Sequence, residues 1–518
     1  MTTIMKNNLI RTTLLAAAGL LLLPPQRTAA QGSEELLMFS RQNFGISSAR
    51  SAGMGGAFTS LGADAATMSI NPAGMAMYGR GEVSISPGLR ITAHRADYSG
   101  MGGNVSNNLG NTRANVGSFS MVYAGDNFAV GFGMNRLGDY NSRSRAIGYG
   151  EQFSIGDMFV EQLYGASPAS LSAPSGDIYQ AFFNYPPAMW GAIMGYQTAL
   201  LDPVVGSNPQ TYTMSNMIQQ GTLLYPEWYR RTTGANNEYT LSAGYNVQDV
   251  LYVGATLGIQ DIYYNRYDTY SEVTSANNVG LHSLYYGQNL RMNGTGVNVK
   301  VGATVRPLPW LRIGVAYHSP TWMNMGEEYD ANMTTYYTHA LNGYTYGYSD
   351  TPILRNEYNM RSPSRLLAGI SATIGSFGIV SVDYERTWYQ YMKYTSDGYA
   401  DVNAYIRDTY TPTDVIRAGV EFQPIRSLFL RAGYGYSTSP YQGADFRKYG
   451  EYQQWSGGIG YRNRLVSIDL AYVYGTTKQM PFKPYDYTAD DGYRVTTDGT
   501  VYTTDKNHNV ILSVAFRL

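Results

Sequence analysis

Fourteen segments of this chain alternate apolar and polar residues with a period of two, and the links between them alternate as regularly: short, long, short, long. The segments lie near 82–94, 115–124, 127–136, 238–247, 250–265, 294–307, 309–319, 363–375, 377–390, 412–424, 427–438, 452–463, 464–475 and 507–518. Short turns fall at Gly125-Asp126, Gln248-Asp249, Pro307-Leu308-Pro309, Gly375-Ser376, Pro424-Ile425-Arg426 and Arg462-Asn463-Arg464. Seven long links cover 95–114, 137–237, 266–293, 320–362, 391–411, 439–451 and 476–506. Period two marks strands with two different faces. A soluble sheet has no reason to keep one end of every hairpin tight and the other long. A barrel crossing an outer membrane does, with short periplasmic turns, long external loops and an even strand count.

The faces point the same way. In "NVILSVAFRL", Val510, Leu512, Val514, Phe516 and Leu518 share one face, and Asn509, Ser513 and Arg517 lie on the other. In "LRIGVAYH", Leu311, Ile313, Val315 and Tyr317 oppose Arg312, Gly314 and His318. A sandwich would load its wet face with Lys, Glu and Thr. Here that face is rich in Gly with single charges, which suits a crowded lumen, and tyrosines recur at strand ends as in an aromatic girdle. The terminal residue is Leu518 rather than the more usual Phe, a mild departure that Phe516 offsets. The chain holds 48 Tyr and 57 Gly but only 14% charged residues, with a net charge of −1. That balance gives no electrostatic case for nucleic acid. With no Cys there are no disulfides, thiolate metal sites or thiol catalysis.

The first residues read as an export signal. Lys6 and Arg11 precede an apolar run from Leu14 to Leu23, Pro24-Pro25 breaks it, and Thr28-Ala29-Ala30 offers a cleavage site before Gln31. The run is too short to span a bilayer. Residues 1–30 are therefore expected to be removed, residues 82–518 to form the barrel with a large external loop at 137–237, and both chain ends to face the periplasm. Residues 31–81 remain. Their stretch "MGGAFTSLGADAATMSINPAGMA", from 54 to 76, is made of small side chains that fit inside a lumen, and barrels of this size can enclose a plug. Asn71-Pro72 initiates a turn and Gly74 frees the backbone after it. Gly53-Met54-Gly55-Gly56 is no dinucleotide fingerprint, because Phe58 stands where the third glycine belongs and no strand precedes it. A disordered periplasmic leader is the competing reading of this segment.

The segment "SARSAGMGGAFTSLGADAATMSINPAGMA" resembles the N-terminal hatch of the FadL/TodX family of outer-membrane transport proteins, with Ala63-Asp64-Ala65-Ala66 followed by Asn71, Pro72, Ala73 and Gly74. "GVNVKVGATVRPLPWLRIGVAYHSP" and "IRAGVEFQPIRSLFLRAGYGYSTSP" are similar to that family's paired strands. The resemblance, with a Bacteroidetes-like character, implies an all-β fold: a transmembrane antiparallel β-barrel of fourteen strands, a lumenal hatch and large external loops. It implies passive import of long-chain fatty acids or other hydrophobic molecules through an apolar pocket, with hatch movement and lateral exit through the wall. The expected partners are a hydrophobic or fatty-acid ligand, outer-membrane lipid and the barrel-assembly machinery, with no nucleic acid, no cofactor and a monomeric state.

Two groups of residues are candidates for that work. Within the 137–237 insertion, Phe182, Phe183, Tyr185, Met189, Trp190 and Met194 either display an apolar docking surface for substrate or pack the loop's own core. The second is favoured, because a loop of that length must bury something. On the lumen face, Arg312, Asp383, Glu385, Arg417, Glu421, Arg431 and Asp469 line up, with Lys300 and Arg306 beside them. Mutual ion pairs and bonds to the plug are the favoured reading, and an arginine held for a substrate carboxylate is the other. Catalysis has no support: the five histidines are dispersed, and there is no HxxxH, GxSxG or Ser/His/Asp grouping. No catalytic or metal residue is therefore assigned. The alternative function is a docking barrel of a secretion machinery that presents cargo at the cell surface. A surface adhesin rests on loop size alone.

Overall fold

The computed structural model describes residues 25–43, 47–100, 102–172, 179–341, 344–443, 449–488 and 493–518. The apolar core of the export signal, Leu14 to Leu23, lies outside the described residues. Fourteen antiparallel strands form the wall: β1 Glu82–Gly100, β2 Gly103–Ala124, β3 Phe128–Asp139, β4 Leu224–Val247, β5 Leu251–Thr274, β6 Leu281–Leu308 and β7 Leu311–His318, then β8 Arg365–Ile374, β9 Gly378–Trp388, β10 Pro412–Ile425, β11 Leu428–Ser437, β12 Tyr452–Arg462, β13 Val466–Lys478 and β14 Thr500–Arg517. Each pairs with its sequence neighbour, and β14 pairs with β1 from Glu82↔Arg517 to Ser99↔Thr500, so the sheet closes on itself. Closure leaves the wall without an open sheet edge, as lipid requires.

The polarity of the wall is inverted relative to a soluble protein. On β7, Ile313, Val315 and Tyr317 are exposed while Gly314, Ala316 and His318 are buried. On β13, Ile468, Leu470 and Tyr472 are exposed and Asp469 is buried. The outward band of aliphatic and aromatic side chains therefore faces lipid. No described helix is long and apolar enough to cross a membrane. The turn at Gln248-Asp249 has both residues left-handed, with φ of 54° and 59°, and the Val250 N–H closes it on the Val247 carbonyl at 3.1 Å. Asn246 steadies it, exchanging hydrogen bonds with the Asp249 side chain and N–H at 2.6 and 2.8 Å.

Three expectations need correction. Several long links are strands rather than loops. β1 and β2 run as a ribbon through most of 95–114, and β4, β5 and β6 are 24, 24 and 28 residues long. About 9–11 residues cross the hydrocarbon, so these strands continue far outside it. Above the membrane the outward face meets water instead of lipid while the inward face carries buried Tyr, Leu and Met, so the apolar-out pattern that marks a wall strand is lost. Likewise, the 137–237 loop is shorter than its expected span, since β3 continues to Asp139 and β4 begins at Leu224. Between them lie a strand Ser142–Ile147 and helices Ile155–Gln162, Pro168–Leu171, Gln180–Asn184 and Trp190–Gln197, which form a cap. Finally, the described N-terminal arm and the C-terminus lie apart. Leu518 donates its N–H to Gly81 at the rim of short turns. The N-terminal helix α1, Pro25–Ser40, instead lies against the long-link side, where Tyr394 donates to the Gly32 carbonyl at 2.7 Å and Ser33 and Tyr410 share a hydroxyl contact at 3.1 Å. Its Leu36, Leu37 and Phe39 are buried there.

Candidate functional site

Glycines on the lumen face are where the N-terminal segment touches the wall. Gly244, Gly254 and Gly302 are direct cross-strand neighbours on β4, β5 and β6. A Cβ on Gly254 would stand 2.2 Å from the Pro72 carbonyl oxygen, and one on Gly302 would stand 1.8 Å from Asn71 Oδ1. On Gly244 it would stand 2.5 Å from the Ala76 nitrogen. Gly314 and Gly369, also paired, underlie Thr59 and Ser60; Gly419 and Gly433 underlie Met54 and Gly55. Three tracks of paired glycine thus let the segment's backbone lie on the barrel backbone. Asn71 fixes the turn above the first track. Its Nδ2 donates to the Thr59 carbonyl at 2.6 Å and to Thr304 Oγ1 at 3.3 Å, and its Oδ1 accepts from Ala73 N–H at 3.1 Å. Pro72 opens the 3-10 turn Pro72–Met77, and Gly74 sits with a would-be Cβ 2.8 Å from the Leu61 carbonyl.

Charged lumen residues complete the seat. Glu421 joins Arg50 of the segment at 3.2 Å to Arg431 at 2.7 Å, and Arg431 reaches Asp469 at 2.6 Å. Asp383 accepts the Thr59 N–H at 2.7 Å. Glu385 binds Arg365 at 3.0 Å and Arg417 at 2.6 Å, and Arg365 also donates to the Ser40 carbonyl. Lys300 is ion-paired with Glu238, which also accepts from Ser69 at 2.7 Å, and His318 Nε2 contacts the Ile70 carbonyl at 2.8 Å. Six of the seven lumen residues named from sequence fall in these networks. Arg312 makes no hydrogen bond among the described residues, and Arg306 is spent on the Pro309 carbonyl of its own turn. Arg50, Glu238 and Arg365 were missed, although each carries a signal. Glu238 and Arg365 open predicted strands on their polar faces, and Arg50 is a lone charge in a segment of small residues. Removing Arg431 leaves two buried carboxylates short of a partner, a loss of about 3–5 kcal/mol. Arg431→Leu is expected to lower the temperature at which the folded barrel loses its fast gel mobility, and an unchanged temperature would count against a shared network.

Above the hatch the character changes. Leu36, Leu37 and Phe39 of α1 are buried among Ile262, Tyr264, Leu290, Met292, Met323, Met325, Tyr358, Met360, Tyr389, Met392, Tyr394, Ile406, Tyr410 and Tyr441. Phe39 stands edge-on to Tyr140 and Tyr264, with centroids 5.6 and 5.9 Å away. Methionine packs adaptably around varied apolar shapes. Beside this pocket lies a chamber of about 910 Å³, lined by Leu37, Met38, Trp228, Tyr270, Tyr286 and Phe482 together with the charged pairs Arg266–Glu35 and Arg230–Asp268. The lumen is therefore amphipathic rather than uniformly apolar.

The cap closes over the chamber. Phe182, Trp190 and Met194 are buried in its core with Phe159, Ile193 and Leu201, and Trp190 Nε1 donates to the Phe182 carbonyl at 3.0 Å. Tyr185 and Met189 are half-buried, and Phe183 alone of the six sequence candidates is exposed. An open apolar docking surface is not what these residues make, because the insertion uses them as its own core. The cap is tied to the wall by Glu272, which lies on β5 twenty-one residues from Leu251 and so well outside the bilayer. Its carboxyl accepts from Ser154 Oγ at 2.5 Å, Ile155 N–H at 2.8 Å and Tyr270 at 2.8 Å. Burial pushes it up to about 7 from 4.5, against those hydrogen bonds. A raised carboxyl stabilises the docked form fully below its free value and loses that contribution as pH rises through about 7. Protection of the Ile155–Gln162 amides from hydrogen exchange, corrected for intrinsic rates, is expected to weaken between pH 5 and 7.5 by at most roughly 3 kcal/mol. In Glu272→Gln that dependence should vanish; if it persists, another group controls the cap.

A closed barrel with a lipid-facing belt and its own N-terminal segment lodged in the lumen defines a plugged outer-membrane protein. The family described as "Outer membrane protein transport protein (OMPP1/FadL/TodX)" matches residues 232–516, and the chain belongs to it. It is thus a β-barrel of the Gram-negative outer membrane. Among solved structures, a Pseudomonas aeruginosa FadL homologue aligns at a TM-score of 0.55 and 13% identity, covering 91% of this chain and 98% of its own. The Pseudomonas putida toluene transporter TodX aligns at 0.50 and 14% identity, covering 92% and 99%. At such identities the likeness is one of fold. No curated protein sequence matches the chain.

Proposed function

We propose that this barrel is a passive channel that imports hydrophobic molecules across the outer membrane. The observation that carries the reading is the methionine and tyrosine pocket inside a lumen otherwise built of charges, hydroxyls and glycine. Three apolar side chains of the chain's own arm fill it, and a hydrophobic ligand can take their place. Family membership and the fold shared with a toluene transporter support the same reading. Residues 31–81 act as the hatch, with the glycine contacts, hydrogen bonds and ion pairs as its seat and the apolar pocket as the socket of its arm. The exit lies sideways, at the register break of β3 between Arg136 and Gly138, where Leu137 turns inward and its carbonyl accepts the Asn43 N–H at 2.8 Å. The burial of Phe182, Trp190 and Met194 in the cap's own core favours import over the docking-barrel reading.

Native mass spectrometry of the purified barrel is the direct test. Adducts of fatty acid, or of an added alkylbenzene, that disappear when Met325 and Met360 are replaced by Asp are expected. A lumen that takes up no hydrophobic ligand, in a barrel that instead captures secreted proteins, would overturn the import reading in favour of cargo docking.

A further inference from the structure

We infer that the outward face above the lipid belt carries a binding site for a phosphorylated glycolipid of the outer leaflet, built on Arg143 and Arg231. These arginines are direct cross-strand partners between the strand Ser142–Ile147 and β4. They share the outward face, since the alternate residues Ser144 and Thr232 are buried. Like charges set directly opposite on antiparallel strands destabilise the pair. Neighbouring cations in this protein resolve that conflict with carboxylates: Arg145 holds Glu227 at 2.6 Å and Arg95 holds Asp97 at 2.9 Å. Among the described residues, Arg143 and Arg231 have no such partner. The missing element is an anion from outside the chain.

Position selects its source. Arg231 lies sixteen residues from Val247, the periplasmic end of β4, against the about 9–11 residues that cross the hydrocarbon. The pair therefore stands a few residues above the lipid belt, at the depth of outer-leaflet head groups. Tyr267, the cross-strand partner of Arg231 on β5, is partly exposed and hydrogen-bonded through its hydroxyl to Tyr285 on β6. Two forked guanidiniums suit a phosphate monoester, and the tyrosine beside them offers a flat face to a sugar ring. The surface is continuous with the lipid-facing wall, so a lipid already packed against the barrel presents its phosphate there without further search.

The test uses the full barrel, stripped of glycolipid, in a neutral detergent. Bisphosphorylated lipid A, the same lipid after dephosphorylation, and inorganic phosphate at matched concentration are compared by native mass spectrometry and by thermal unfolding. The wild type is expected to retain the phosphorylated lipid at least tenfold better than the dephosphorylated one. Arg143→Gln with Arg231→Gln should abolish that preference, while Arg95→Gln keeps it. In lipid-free detergent the double variant should melt no lower than the wild type, because a like-charge contact has been removed. Arg231→Lys, which keeps the charge and loses the fork, should fall between. Equal retention of the two lipids, unchanged preference in the double variant, or stabilisation by inorganic phosphate equal to that by lipid A would each overturn the proposal, the last by making this a site for free anions.

Discussion

Gly254→Leu combined with Gly302→Leu is expected to expel the hatch and leave an open pore. The two positions are paired neighbours under the Asn71-Pro72 turn, and a Cβ at either would overlap atoms of that turn, at 2.2 and 1.8 Å. The Gly254 clash is with the Pro72 backbone, and the Gly302 clash displaces the Asn71 side chain that holds the turn, so together they push the hatch off the wall. The wall ladder from β4 to β6 does not depend on it, and the barrel should keep its heat-modifiable mobility. Planar-bilayer conductance, close to nothing in the plugged wild type, should rise by an order of magnitude or more, and cells should admit large hydrophilic antibiotics. Gly457→Leu is the control: this glycine lies on the outward face of β12, with only the Arg431 carbonyl oxygen near its would-be Cβ, at 3.8 Å. A double variant as tight as the control would mean that something other than the hatch seals the lumen.

The second large effect concerns the arm. Phe39 is buried against two tyrosines, and losing a ring from such a site costs about 3–5 kcal/mol. If the arm is the resident occupant of the apolar pocket, Phe39→Ala lowers the work a ligand must do to displace it. At 1.4 kcal/mol per tenfold, the affinity for a fluorescent fatty-acid analogue should rise by roughly two to three orders of magnitude, with the barrel still assembled. Weakened binding would instead show that Phe39 is part of the ligand's own surface.

How far these features could be seen in the sequence depends on which force wrote them. The fourteen wall strands were legible because each puts lipid on one side and a polar lumen on the other, and the period-two pattern records that contrast directly. Where β1 and β2 continue into the external medium, through "GNVSNNLGNTRANVG", both faces meet water and the record stops. The charges Asp383, Glu385, Arg417, Glu421, Arg431 and Asp469 were legible as lumenal for the same reason, and so were pairs among them, but Arg50 was not, because it meets Glu421 only across 371 residues. Glycine on the lumen face was conspicuous; only the position of the hatch explains why it occurs in adjacent pairs. The ascent of α1 left no mark, since Leu36, Leu37 and Phe39 read equally well as the start of a plug held near the periplasm.

The glycine tracks also dictate an order of assembly. Apart from a small apolar cluster around Phe58, Leu61 and Ile70, the hatch rests on strands from β3 to β14, which leave the ribosome and the export channel after it does. Its internal hydrogen bonds, such as Asn71 to the Thr59 carbonyl, can form early, but the wall that seats it is incomplete until those strands have closed. The portion of the mature chain made first is therefore the last to be seated, and the newborn cylinder passes through a stage in which it is a wide hole. A cell that makes this protein must either bring the two events close together in time or keep the unfinished pore occupied.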